Sequence, residues 1–152
     1  MPMMRRMFIF MLVIFSFMGI SAQTVNLDKM SENNRKEYLV NLSKEVIKNF
    51  GPDYCREFTP LIEEMKNEIF PGKDIQGREY YRVTFPLDKA KETLHHGFSA
   101  RVKIWKDTGE PFAVMFGNGV GKSFFHISYK KWLEAGILEA DRVKYQQEVI
   151  MK

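Results

Sequence analysis

The sequence predicts an α+β domain with a mostly antiparallel sheet. Three observations carry this. The apolar residues of the first third recur at helical spacing, and the middle alternates with a period of two. The two patterns also follow one another in runs rather than in strict βαβ alternation.

The chain begins with Arg5 and Arg6, then the apolar stretch MFIFMLVIFSFMGI, then Ser21-Ala22 before the polar Gln23. A charged start, a short apolar run and small residues before a polar one form a secretory signal peptide. The run is too short to span a bilayer. Cleavage is expected after Ala22, giving a signal peptide at 1–22 and one small α+β domain at 23–152. No Cys stands near the cut, so no lipid anchor follows. The expected location is periplasmic or extracellular, in a bacterial envelope, with no membrane span after cleavage.

Each element of the mature chain has its own local reason. Leu39, Leu42, Val46, Ile47 and Phe50 predict a helix from about Glu32 to Phe50, stopped by Gly51-Pro52. Thr59-Pro60 reads as the start of a second helix, with Leu61, Ile62, Met65 and Ile69 as its buried stripe and Pro71-Gly72 as its end. Together they predict an N-terminal helical hairpin. Glu79–Phe85, EYYRVTF, reads as a strand. Asp88 caps an expected short helix, KAKETLHH. From Phe98 to Trp105, Ala100, Val102 and Ile104 face one side while Arg101, Lys103 and Trp105 face the other. Asp107–Glu110 turns the chain, and Phe112–Phe116 returns it. The stretch 117–121 is a glycine-rich turn, and Lys122–His126 reads as another strand. Ser128 caps a helix, YKKWLEA, closed by Gly136. Val143, Tyr145 and Val149 alternate, as in a last strand or a helix.

The sheet is therefore expected to have four or five strands. Two architectures fit: helices packed across a curved sheet, as in cystatin-like folds, or a split β-α-β-β-α-β sandwich.

Charge narrows the function. The formal net charge of +4 falls to +2 once Arg5 and Arg6 leave with the signal. Neither that value nor export suits nucleic acid, which calls for clustered Lys and Arg on one face. Cys55 is the single cysteine, so the fold rests on its core and not on an internal disulfide.

Three groups of residues invite chemistry. Gly117-Asn-Gly-Val-Gly121-Lys122-Ser123 approaches a phosphate loop, but Phe116 stands where the first glycine belongs. It reads as a hairpin turn whose N–H groups, at Gly119 and Gly121, with Lys122 form a nest for sulfate, phosphate or carboxylate. Cys55 beside Arg56, with His96 as base and His126 or Asp107 to orient it, is similar in chain order to papain-like and cell-wall-peptidase thiol hydrolases. It lacks their Asp-Cys-Ser-Gly and Gly-Asp signatures. Finally, an outward Trp105 flanked by Arg101 and Lys103 suits stacking on a sugar or anchoring a protein. No metal or cofactor motif is complete.

The sequence thus reads as an exported binding module with a protein or glycan partner in the envelope. Its face is Trp105, Arg101 and Lys103, with Gly119, Gly121 and Lys122 at one end. Alternatives are a Cys-His thiol hydrolase acting on peptide or cell-wall amides, and an inhibitor or immunity-type protein. Nothing in the sequence sets an oligomeric state.

Overall fold

The computed structural model describes residues 24–147. The expected signal peptide and Val149 lie outside the described residues. One long helix, five strands and one short helix follow in order: α1 Glu32–Phe50, β1 Leu61–Lys66, β2 Glu79–Phe85, β3 Ala100–Trp105, β4 Pro111–Phe116, β5 Gly121–Ser123 and α2 Tyr129–Ala135. The strands form one antiparallel sheet in the order β1-β2-β3-β4-β5, each beside its neighbour in sequence. This is the α+β class read from the sequence. Among the described residues no helix is long and apolar enough to cross a membrane.

Helix α1 forms where its spacing predicts. The Ser31 hydroxyl accepts from the Asn34 N–H, and the Gly51 N–H donates to the Ile47 carbonyl. Leu39, Val46, Ile47 and Phe50 turn inward. Gly51 is required by close approach, since a Cβ there would collide with the Phe116 ring. The core lies between α1 and one face of the sheet, where Val83, Phe85, Ala100, Val102, Ile104 and Phe116 have no exposed surface. Helix α2, capped by Ser128 as expected, packs Tyr129 and Trp132 against Phe50.

Three expected elements differ. Residues 61–66 form strand β1, so there is no helical hairpin. Leu61 to Lys66 pair in unbroken register with Thr84 to Glu79, and Glu63 meets Arg82 across the strands. A short isolated helix is marginal in water. Pairing with the free edge of β2 satisfies the same backbone groups and buries Ile62 against the core. The turn after β1 is fixed by buried Asn67, whose side chain donates to the Phe70 and Ile75 carbonyls and accepts from the Phe70 N–H.

Residues 89–96 make one turn after Asp88 and no helix. Glu92 is drawn sideways to the Arg56 guanidinium, at 2.5 and 2.9 Å, and Leu94 enters the core. The β2–β3 connection therefore has no crossover helix, which removes the split β-α-β-β-α-β arrangement. Residues 143–146 form neither strand nor helix. They run as an extended strap across the end of α1: Val143 N–H donates to the Phe50 carbonyl, Tyr54 Oη donates to the Lys144 carbonyl, and Gln146 N–H donates to Tyr54 Oη.

Candidate functional site

Alternation sends every second residue of each strand away from α1. Register then assembles these residues into three rows on the outer sheet face. Leu61, Thr84, Arg101, Met115 and Gly121 form the first. Glu63, Arg82, Lys103, Ala113 and Ser123 form the second. Met65, Tyr80 and Trp105 form the third. A register shift at Lys103/Ile104 brings Phe112 beside Trp105. Among the described residues no helix covers this face.

Its centre is cationic. Lys103 lies directly across from Arg82, and Arg101 is two residues along the same strand. Glu63 answers Arg82, accepting from its Nε at 3.0 Å. Among the described residues Arg101 donates only to the Thr84 hydroxyl, at 3.1 Å, and its guanidinium rests 4.1 Å from the Phe98 ring centre. Lys103 Nζ sits 4.7 Å from the Phe70 ring centre and 5.7 Å from that of Tyr80. Neither Arg101 nor Lys103 forms an ion pair among the described residues. Partial burial pushes the Lys103 ammonium below its ordinary range, and the neighbouring charges of Arg101 and Arg82 push the same way. Arg101 is lowered for the same reasons, burial first and then Arg82. The cluster holds positive charge together against both desolvation and self-repulsion, an arrangement that an arriving anion relieves.

Trp105 lies on the expected face but is buried, with 5% of its surface exposed. Phe112 stacks on its ring at 3.7 Å and 15°. The Arg78 guanidinium, paired with Asp107, covers it 4.3 Å from the ring centre. The indole is a platform that supports the face and is not a free anchor.

The 117–123 loop is divided. Gly121 belongs to the outer face, in the row of Arg101. Gly119 takes the left-handed conformation (φ +88°) that the β4–β5 turn needs and donates to the Phe116 carbonyl. Lys122 is opposite Val114, on the helix side, with its ammonium 5.4 Å from the Trp132 ring centre. The structure therefore does not bring Lys122 to Arg101 and Lys103. The Gly119 N–H, a donor in the expected anion nest, is thus already engaged, and the neighbouring Val120 N–H serves the Asn118 side chain.

The thiol residues are also apart in their contacts. Cys55 is half-buried after a 3-10 turn, Pro52–Tyr54, and packs on the core. The His96 ring stacks parallel to Phe98, and His126 is exposed before α2. Among the described residues no hydrogen bond joins Cys55 to either imidazole.

Sequence reasoning found Arg101 and Lys103 but not Arg82. The signal was present: within EYYRVTF, Arg82 alternates against Tyr81, Val83 and Phe85. Its position opposite Lys103 depends on inter-strand register, which no local pattern gives. Comparison with protein-family models, with curated proteins and with solved structures finds no significant match.

Proposed function

We propose that the mature chain is a periplasmic or extracellular binding module, without catalytic activity, that captures an acidic partner of the envelope on its outer sheet face. The single observation that carries this is the pair Arg101 and Lys103, half-buried beside Arg82 with one carboxylate among three cations. A solvated patch of the same charge would spread its side chains into water. Here backbone pairing and the flanking Phe70, Tyr80 and Phe98 rings hold the cations in place, so little side-chain freedom is lost when an anion arrives. Exposed Leu61 and Met115, in the first row on either side of Arg101, add apolar contact. The signal-like segment at residues 1–22 supports this reading, since acidic glycans and acidic protein surfaces are met outside the inner membrane.

The test uses dextran sulfate as probe and neutral dextran as control, with residues 23–152. Binding is expected to be saturable, to weaken with salt, and to fall by about tenfold or more in Arg101→Ala/Lys103→Ala, since hydrogen bonds to charged groups are among the stronger ones. Circular dichroism of that variant should be unchanged. Equal affinity in the variant and the parent overturns the assignment of the face.

A further inference from the structure

A second concavity lies at the β3–β4 hairpin end of the molecule and has the opposite electrical character. It is a groove of about 800 Å³ between α1, the hairpin and the segment leading into α2. This is within the usual range for a preformed ligand site. Its floor is apolar and aromatic, built from Trp105, Phe112, Phe124 and Tyr129, all buried. Phe125 and Leu133 stand exposed at the rim.

One wall is a ridge of α1. Asn34, Tyr38, Asn41 and Glu45 follow one another at spacings of three and four, with Glu37 beside them, and so project from one side of the helix. The ridge runs about 16 Å at ~1.5 Å per residue. That matches about five residues of extended chain at ~3.3 Å each. Glu110, on the hairpin, faces the ridge from the other wall.

The charges in this groove are unbalanced. Glu37, Glu45 and Glu110 form no ion pair among the described residues. The two cations in the lining are already engaged: Arg78 pairs with Asp107 and covers Trp105, and Lys130 faces Glu134 at 3.9 Å. Two phenols register the negative field. Tyr38 is pushed up by burial and then by the charges of Glu110 and Glu45. Tyr129, which donates to Glu45 at 2.7 Å and accepts from Asn49, is pushed up by burial and by that carboxylate.

We infer that this groove takes a short extended peptide segment with alternating basic and apolar side chains. The apolar side chains lie on the aromatic floor, and the ammonium or guanidinium groups reach Glu37, Glu45 and Glu110. Carboxylates along both walls of an apolar groove repel an acidic ligand, and an uncharged one leaves them unanswered. An extended chain places alternate side chains on opposite sides, which suits a groove with an apolar floor and a charged rim. The inference is independent of the outer face, which has the opposite sign and different residues, Trp105 and Phe112 excepted.

The probe is the peptide acetyl-Lys-Phe-Lys-Phe-Lys-amide, titrated into residues 23–152 and followed by calorimetry. The same peptide with every Lys acetylated, and one with Glu for Lys, are the comparisons. Saturable binding is expected for the lysine peptide alone. Glu37→Gln/Glu110→Gln should weaken it about tenfold, as two partly exposed ion pairs are removed. Both residues are exposed, so the variant keeps its fold, verified by circular dichroism. Arg101→Ala/Lys103→Ala should leave the peptide's affinity unchanged, which separates this site from the outer face. The inference is overturned by three results: no saturable binding, equal binding of the glutamate peptide, or equal affinity in Glu37→Gln/Glu110→Gln.

Discussion

The two faces of the sheet are made by the same strands and differ in almost every other respect. On the helix side, Val102 and Ile104 of β3 are completely buried among apolar neighbours. On the outer side, Arg101 and Lys103, one residue away in each case, are half-buried among cations and aromatic rings. The difference teaches how a small domain divides its labour. A period of two lets one strand carry core and candidate site at once, without giving either its own element. Charge is also treated in two ways. Glu92, on the helix side, is almost fully enclosed and satisfied by Arg56, Tyr145 Oη and the Asp88 N–H. Lys103 is partly enclosed and has no counter-charge among the described residues.

The comparison breaks most visibly at Phe116, which is fully buried with its ring 5.0 Å from that of Tyr54. Phe116→Ala is expected to cost about 3–5 kcal/mol in denaturant unfolding, through lost burial and the cavity left behind. A loss below ~1 kcal/mol would mean that this face is not the core.

A smaller effect is expected at Glu92. Its carboxyl is held down at about 2 by the Arg56 guanidinium, with help from the Asp88 N–H and Tyr145. The unfolded chain titrates near 4.5. The folded state therefore holds fewer protons, so this contribution is complete above pH ~5 and is lost as pH falls toward 2. Glu92→Gln should destabilise by about 2 kcal/mol at pH 7, the range of a hydrogen bond to a charged group, and should flatten the stability–pH curve between 5 and 2. An unchanged slope would show that the pair contributes nothing specific.

The smallest effect is expected at Lys103, and it sharpens the contrast. Lys103→Met removes a cation held against its neighbours, so the unfolding midpoint should stay within about 0.5 kcal/mol of the parent or rise. Dextran sulfate affinity should fall. The depressed ammonium also sets a sign with pH: the folded chain gives up this proton below the ordinary lysine value of 10.5, so anion binding should weaken as pH rises toward that value. Binding titrations across the alkaline range check this. A parent whose affinity is flat there removes Lys103 from the site.

Much of the fold was legible in the sequence for identifiable reasons. Helix α1 has five inward residues at helical spacing and a capped start, and α2 is bracketed by Ser128 and Gly136. β2, β3 and β4 show alternation that requires no partner to be seen. β1 was illegible because LIEEMK has helix-favouring composition, and its strand state comes from β2, which follows after a connection of 12 residues. The turn at 89–96 was illegible because Arg56, 36 residues earlier, takes Glu92 out of a helical pattern. In the candidate site, the shared side of Arg101 and Lys103 followed from alternation. The covering of Trp105 by Phe112 and Arg78 did not, since both come from other elements.

The strap across α1 has a consequence for how the chain is made. The bonds that close Tyr54 against residues 144 and 146 span 90 and 92 positions of sequence. Synthesis proceeds from the N-terminus, so the strap over the end of α1 emerges some 90 residues after the groups it closes on. Until then Phe50 and Tyr54 lack their final neighbours, and early folding is left incomplete.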